Sequence, residues 1–311
     1  MRWLAEVEEH TGCVHMRFLR ICLHCLLAVV LAPVGLAQTA GADPGAALQA
    51  RRGELASQLA SNPFQRPLYI DSTEAPNDLK GDVFAVVEHP FAAVATALRN
   101  ADNWCDVLIL HLNTKYCKAR LQDGAARLAV RVGKKYDQPL EDAYLIDFGY
   151  GVTAASPEYF AVRLGASTGP LGTRDYRIML EAVPADSGKT FLHLRYSYGY
   201  GLIGRMAIQS YLATIGSDKV GFSVTGTQAN GQPAYVGGVR GLIERNTMRY
   251  YLAIDAYLAS LSAPPAERAE RRLQLWFTAT ERYPRQLHEV DQPGYLDMKR
   301  SELQRQQATP G

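Results

Sequence analysis

Five segments in the middle of the chain alternate between apolar and polar positions, which is typical of strands with one buried face. The segments are 125–132, 144–150, 159–164, 176–182 and 192–198. In the last of them, for example, Leu194 and Tyr196 alternate with His193 and Arg195. Successive strands with one apolar and one polar face predict an antiparallel sheet that is covered on a single side.

The longest helical pattern in the chain follows these strands, over residues 239–261. Its apolar positions recur at helical spacing, namely Val239, Leu242, Ile243, Tyr250, Ile254, Tyr257, Leu258 and Leu261. Charged residues lie between them, and Pro264 and Pro265 end the pattern. We therefore expect one long amphipathic helix after the strands.

Shorter elements precede and follow this pattern. Strands are predicted for 82–88 and 220–225, helices for 46–59, 90–100, 202–215 and 267–283, and a hairpin turn for Asn230-Gly231. Pro63, Pro67 and Pro76 predict an extended lead segment, so that the ordered body begins near Asp82. The glutamine-rich end from Ser301 is expected to be disordered.

The first forty residues contain the three parts of a cleavable secretory signal. Arg17 and Arg20 form a basic start, residues 21–31 are apolar, and Gly35-Leu36-Ala37 offers a small-x-small cleavage site. The apolar run is shorter than the roughly 20 residues that cross a bilayer. We expect translation from Met16, cleavage near Ala37 and a periplasmic or secreted protein; the alternative is a buried N-terminal helix.

Cleavage there would leave two of the five cysteines, Cys105 and Cys117. An even number of cysteines in an oxidising compartment favours one disulfide between them, and two free thiols are the alternative. Two cysteines twelve residues apart, with few histidines elsewhere, do not have a metal-ligand spacing, so no metal site is expected. The net charge of +2 is not the strongly basic balance of a nucleic-acid-binding protein.

The order of these elements resembles the helix-grip, or START-like (SRPBCC), superfamily. The opening sequence DVFAVVEHPFAAVATALRNADNWCDV is similar to that superfamily's strand, proline-led helix and tryptophan, and the resemblance covers about residues 80–261. The stretches WCDVLILHLNTKYC and ERNTMRYYLAIDAYL also resemble a family of exported bacterial proteins, a likeness that implies no activity. Residues 202–236 depart from the simplest version of the fold, which leaves the strand order open.

The resemblance implies an α+β fold, in which an antiparallel sheet curls around a long C-terminal helix, with helical extensions at both termini. The expected parts are upstream residues and signal peptide (1–37), a lead segment with a peripheral helix (38–80), a START-like helix-grip domain (81–262), and a C-terminal helix with a disordered tail (263–311). In helix-grip proteins a tunnel between the sheet and the long helix holds an apolar ligand. The alternative is that the same side chains fill a solid core.

Aromatic and basic side chains supply the candidate ligand site for such a tunnel. The candidates are Tyr144, Phe148, Tyr176, Tyr196 and Tyr198 on the sheet, with Arg245, Tyr250 and Ile254 on the helix. Arg245 or Arg249 would hold a carboxylate or phosphate head group if that helix edge faces the tunnel. Otherwise Glu244 and these arginines form an ordinary surface pair.

Two literal catalytic motifs are interpreted as structural. Gly165–Gly169 matches G-x-S-x-G, but Pro170 and a new strand follow Ser167 where a nucleophile elbow requires a helix. Residues 199–204 match G-x-G-x-x-G, but the surrounding strands are antiparallel, so a close-packed glycine-rich turn is expected and no nucleotide cofactor. His111, on an apolar strand, is interpreted as a core histidine, and His193 as solvated. No catalytic residue is predicted.

These patterns favour a non-catalytic, exported protein that binds an apolar small molecule or lipid, with no cofactor. A helix-grip enzyme, polyketide-cyclase-like or hydrolytic, and an envelope interaction protein without a ligand remain as alternatives. The helix 267–283 places Arg268, Arg271 and Arg272 near Trp276, which would suit a membrane surface. Acidic residues in the same helix favour a packed helix with a solvated face.

Overall fold

The computed structural model describes residues 43–214 and 216–308. The predicted signal peptide, its cleavage site near Ala37 and the predicted start at Met16 lie outside these residues.

Within the described residues, eight strands form one antiparallel sheet. They are β1 (Leu68–Ala75), β2 (Asp78–Val87), β3 (Thr114–Gln122), β4 (Ala125–Val132), β5 (Tyr144–Ala155), β6 (Phe160–Thr168), β7 (Thr173–Ala185) and β8 (Lys189–Tyr200). The order across the sheet is β1-β2-β8-β7-β6-β5-β4-β3, and the alternating segments of the sequence are β4 to β8. Apolar residues lie opposite each other on neighbouring strands, as Leu180 of β7 and Leu194 of β8 do. Alternation therefore identified these five strands.

Strand β1 was not expected. Leu68, Ile70 and Ser72 are buried on one face, and Pro76-Asn77 forms the turn into β2. The prolines led to the prediction of an extended lead segment with order beginning near Asp82, and that prediction is wrong for residues 68–81. A proline in a tight turn joins two strands as readily as it interrupts one.

Two helices, α3 (Phe91–Leu98) and α4 (Ala101–Leu108), connect β2 to β3. The Asn100 side chain accepts a hydrogen bond from the Asp102 N–H at 3.0 Å, and it thereby caps α4 where a single helix was expected to end. The apolar residues before His111, interpreted as a strand, are the end of α4 and a turn, so that interpretation is wrong. Cys105 in α4 is bonded to Cys117 in β3, which confirms the predicted disulfide.

The long helix is α6 (Gly238–Ser260). It packs against β1, β2 and β8 on one side and against α7 (Arg268–Thr280) on the other. Trp276 of α7 is buried, and its indole N–H donates to the Arg249 carbonyl at 3.1 Å. Because α7 covers the side of α6 that faces away from the sheet, a charged side chain such as Arg249 is buried as well. Helix α7 is a packed helix with a partly exposed face, as expected.

The C-terminal segment contains α8 (Pro284–Leu287) and α9 (Gln292–Ala308), so the prediction of disorder from Ser301 is wrong for residues 301–308. Glu302 and Lys299 of α9 are fully buried, and Glu302 lies 3.0 Å from the ammonium of Lys115 in β3. Lys299 donates to the carbonyls of His111 and Thr114 at 2.7 and 2.8 Å. A buried charge triad thus anchors α9, although its sequence is mostly polar.

The N-terminal helices α1 (Pro44–Glu54) and α2 (Ala56–Ala60) form the predicted peripheral helix, broken at Leu55. They cover part of the outer face of the sheet with Leu48, Leu55 and Leu59, which pack on Phe84 and Phe191. The sheet is therefore covered on both faces there, where the sequence predicted one covered side.

Between β8 and α6 lie α5 (Leu202–Ala213) and a small hairpin of β9 (Val224–Thr227) and β10 (Pro233–Tyr235). The hairpin turn at Asn230-Gly231 is confirmed, and Gly231 has a φ of 80°. The antiparallel sheet, the helices after β2 and the long helix after β8 make this an α+β fold with N- and C-terminal helical extensions, in the element order expected from the helix-grip resemblance. None of the described helices combines the length and the hydrophobicity needed to cross a bilayer.

Candidate functional site

Five of the predicted tunnel residues come together between the sheet and α6. The rings of Tyr176 and Tyr198 stack at 5.2 Å, and those of Tyr196 and Tyr250 meet edge to face at 5.0 Å. Phe148 packs against Tyr176 at 6.3 Å. Phe148, Tyr176, Tyr196 and Tyr198 are buried, Tyr250 is partly buried, and Ile254 is 0 % exposed. They pack on one another as a continuous aromatic core, so the geometry supports the solid-core alternative.

Tyr144 does not join this group. It is the first residue of β5, and it is 51 % exposed, whereas Ile146 and Phe148 on the same face are buried. Alternation predicts the face to which a side chain points, but it does not predict where the covering helix ends. Tyr144, predicted as a tunnel residue, therefore does not lie with the other aromatic residues.

Glu244, Arg245 and Arg249 of α6 are buried, so these three residues do not form the surface pair that was the alternative. Glu244 is 0 % exposed and accepts hydrogen bonds from the Phe222 and Ser223 N–H groups at 2.6 and 2.9 Å. It also accepts from the Ser72 hydroxyl at 2.6 Å. Four acceptor contacts, including the Ser223 hydroxyl at 2.7 Å, satisfy this carboxylate, which joins β1 and the loop before β9 to α6.

Arg245 and Arg249, in contrast, are buried with unused donors. Arg245 is 0 % exposed, and its only direct partner among the described residues is the Val220 carbonyl at 3.3 Å. Its Nε and Nη2 atoms, and the Nε of Arg249, have no hydrogen-bond partner there. A buried guanidinium normally has its donors paired, because desolvation is otherwise uncompensated.

One carboxylate, Glu289, serves three of the surrounding cations. It lies 2.7 Å from Arg249, 2.6 Å from Lys135 and 3.9 Å from Lys219. Burial raises the pKa of Glu289, but these cations outweigh burial and hold it below its usual range. Burial lowers the pKa of Arg249, and the nearby Arg245 lowers it further. The cluster therefore carries more positive than negative charge.

A pocket of about 260 Å³ opens beside this cluster, between α5 and α6. Its lining residues are Asn113, Lys135, Pro170, Leu171, Thr173, Gly204, Ala207, Ile208, Tyr211, Leu242, Asn246 and Arg249. One part of the lining is apolar, and the other contains Lys135, Tyr211 and Arg249. The volume is close to the lower limit for small-molecule sites, roughly 300 Å³.

Tyr211 connects the two parts of this pocket. Its hydroxyl accepts a hydrogen bond from Lys135 at 3.3 Å, and the Lys135 ammonium also lies 5.3 Å from the centre of the ring. Burial raises the pKa of Tyr211, but Lys135 and Arg245 lower it below its usual value. The positive charges of the cluster thus lower the pKa of Tyr211, a side chain in the pocket wall.

One glycine, Gly204 of α5, lies in the pocket wall. A β-carbon on Gly204 would lie 2.9 Å from Cβ of Tyr200 and 3.3 Å from the Leu171 carbonyl, so only glycine lets α5 approach the turn after β6. This is the third glycine of the G-x-G-x-x-G match, and its role is close packing, as interpreted. The G-x-S-x-G match was expected to form a turn, but its residues 165–168 lie within β6, and the turn into β7 follows at residues 169–172, so that expectation is wrong. No α-helix lies between Ser167 and β7, where a nucleophile elbow would require one.

Four larger clefts, of about 470, 580, 500 and 570 Å³, lie among the described residues. The first two contain exposed charged residues such as Asp175 and Arg120, and they share Ala126 and Tyr150. None of the buried side chains that lack a hydrogen-bond partner lines any of the four clefts. We therefore take the smaller pocket beside α6 as the candidate site.

His111 is buried, which confirms its interpretation as a core histidine. Its ring stacks on Tyr250 at 4.9 Å, and Nδ1 accepts a hydrogen bond from the Asn113 N–H at 3.1 Å. Burial, followed by the charges of Arg249 and Lys299, lowers the pKa of His111 well below its usual value. The imidazole is therefore neutral, and its Nε2 atom has no partner among the described residues.

His193 was expected to be solvated, but it is buried on the outer face of the sheet. It lies 2.7 Å from Asp82 and 3.0 Å from Glu181, and its ring stacks on Phe84 at 4.2 Å. Arg195 also donates to Asp82 at 2.7 Å. Helices α1 and α2 cover the outer face near this point. The alternating pattern of the strands does not predict that these helices pack there. No cavity described above reaches this cluster, so we assign it a structural role.

The two carboxylates predict how pH affects the stability of the fold through His193. Burial lowers the pKa of His193, but Asp82 and Glu181 raise it above its usual value of 6.5. A raised folded-state pKa stabilises the protein fully below the unfolded-state pKa, and this contribution is lost as pH rises through the folded-state pKa. We expect the free energy of unfolding, measured by urea denaturation, to fall as the pH rises above 6.5.

In the His193→Gln variant this fall should be smaller than in the unmodified chain. An equal slope in both proteins would show that another group causes it.

Sequence reasoning missed Lys135, Tyr211 and Glu289. Lys135 and Glu289 lie in loops, and Tyr211 lies on a helix whose partners were unknown, so no periodic pattern marks them. The arginines of α6 were the one signal that pointed toward this cluster. Across the described residues no group of three or more His, Cys, Asp or Glu side chains is arranged to hold a metal ion.

No family model and no curated protein matches the chain. Among solved structures, the crystal structure of Ara h 8.0201 is 10% identical, with 62% of this chain and 99% of that chain covered and a TM-score of 0.33. Human StAR-related lipid transfer protein 5 is 10% identical, covering 55% and 89%, with a TM-score of 0.30. A truncated norcoclaurine synthase from Thalictrum flavum is 10% identical, covering 45% and 85%, with a TM-score of 0.29.

Proposed function

We propose that this chain is an exported protein that binds an apolar small molecule in the pocket between α5 and α6. The observation that carries the proposal is the lining of that pocket. Leu171, Ala207, Ile208 and Leu242 provide an apolar wall, and a few polar groups converge at one part of it. An apolar wall with few, placed polar groups is the usual composition of a small-molecule site.

The outside of the pocket adds to this support. Leu202, Ile203 and Met206 on α5 are 74, 65 and 62 % exposed, and Leu171 at the pocket is 50 % exposed. Apolar side chains grouped at the surface often mark a binding region. Export is supported by the signal-like residues before Gln38 and by a disulfide, which persists in oxidising compartments.

Filling the pocket should prevent binding. The Ala207→Phe substitution places a large ring in the lining, and we expect it to weaken binding of the neutral probe N-phenyl-1-naphthylamine at least tenfold in a fluorescence titration. Ala213→Phe is the matched control, because Ala213 lies on the same helix, is exposed and does not line the pocket.

Equal affinities for the probe in both variants would contradict the proposed pocket. An unmodified chain that does not bind the probe would contradict the proposed function.

A further inference from the structure

The cationic cluster beside the pocket contains donors that the protein itself does not use. Arg249 lines the pocket, is 1 % exposed and has an unpaired Nε. Arg245 lies beside it with Nε and Nη2 unpaired, and it forms no ion pair among the described residues. An uncompensated buried cation is strongly destabilising, so its presence next to a pocket indicates a missing partner.

The charges identify the kind of partner. Lys135, Lys219 and Arg249 share the single carboxylate of Glu289, and Arg245 adds a fourth cation. A ligand with an acidic group would supply the negative charge that this cluster lacks. Guanidinium groups bind carboxylates and phosphates through charge-assisted hydrogen bonds, which are stronger than hydrogen bonds between neutral groups.

Other buried cations of the protein show the contrast. Arg272 is 6 % exposed and pairs with Asp106 at 2.7 Å, and no cavity described above includes it. Lys115 and Lys299 are fully buried and share Glu302. Unpaired guanidinium donors therefore coincide with the pocket.

We propose that the ligand of this pocket is an amphiphile with one carboxylate or phosphate head group, which Arg249 and Lys135 bind while its apolar part lies against α5. Arg245 supports the site by its charge from behind Arg249. This inference rests on the proposed function and adds the class of ligand to it.

The test compares three probes with one apolar chain and different head groups, namely octanoate, octyl phosphate and octanol, by isothermal titration calorimetry with the full chain. We expect octanoate or octyl phosphate to bind at least tenfold more tightly than octanol. The tighter of the two acids identifies the head group as carboxylate or phosphate.

The variants test whether the cluster causes this preference. Arg249→Gln should reduce the ratio of acid to alcohol affinity to near one, and Lys135→Gln, at a partly exposed side chain, should reduce it severalfold even if the first variant does not fold. Arg272→Gln is the matched control, and it should retain the ratio.

Octanol that binds as tightly as both acids would overturn the acidic head group but leave the proposed function intact. A preference that both pocket variants retain would also overturn it. If none of the three probes binds, the proposed function fails together with the inference.

Discussion

Replacing Glu302 by glutamine should lower the free energy of unfolding by about 3–5 kcal/mol, because it leaves two buried lysines without a counter-ion. Glu302 lies 3.0 Å from the ammonium of Lys115 and 2.7 Å from that of Lys299, and all three side chains are fully buried. Burial lowers the pKa of Lys299 to about 8, even though Glu302 opposes this effect. Urea denaturation at neutral pH measures the change.

The matched control is Asp297→Asn on the same helix. The side chain of Asp297 is 77 % exposed, and its ion pair among the described residues is with the exposed Arg300, so its loss should change stability by no more than about 0.5 kcal/mol. Equal and small effects of the two substitutions would show that the triad does not anchor α9.

Tyr198→Ala should lower the free energy of unfolding by a similar amount, about 3–5 kcal/mol, because it leaves a cavity in a packed aromatic core. Tyr198 is 6 % exposed and contacts the rings of Tyr176 and Tyr196 at 5.2 and 5.6 Å. A tunnel wall would behave differently, since a side chain facing a void has fewer contacts to lose. Thermal and urea denaturation distinguish the two arrangements.

Tyr144→Ala serves as the control, because Tyr144 was predicted for the same face but is 51 % exposed. It should change stability by no more than about 0.5 kcal/mol. A small loss for Tyr198→Ala, combined with weaker binding of N-phenyl-1-naphthylamine, would restore the tunnel between the sheet and α6 and contradict the site beside α5.

The candidate site was only partly visible in the sequence. The helical pattern of 239–261 brought Arg245 and Arg249 onto one helix edge, and the choice between a surface pair and a head-group site remained open. That choice depends on whether α5, α7 and the loop with Glu289 cover this edge. When segments far apart in the chain cover a helix edge, the sequence near that edge has no periodic pattern that indicates it. Lys135, Tyr211 and Glu289 could therefore not be predicted from the sequence.

The same limit explains the errors in the fold. The polar face of β8 predicts a solvated His193, but the burial of that histidine depends on side chains from other strands and on helices that precede the sheet. The polar composition near Ser301 predicts disorder, but Glu302 gains two buried lysines as partners. Composition measures apolar content, and it does not detect stabilisation by buried charge pairs.

The sequence by itself determined the strands β4 to β8, the long helix, the hairpin turn at Asn230-Gly231 and the disulfide between Cys105 and Cys117. Each of these follows from a local period, a turn residue or a count of cysteines, which are properties of neighbouring residues. Only the tertiary structure decided which faces are covered, that the aromatic residues fill the core, and that unpaired arginines lie beside a pocket. These features depend on contacts between segments far apart in the chain, whose energies appear only when the segments meet.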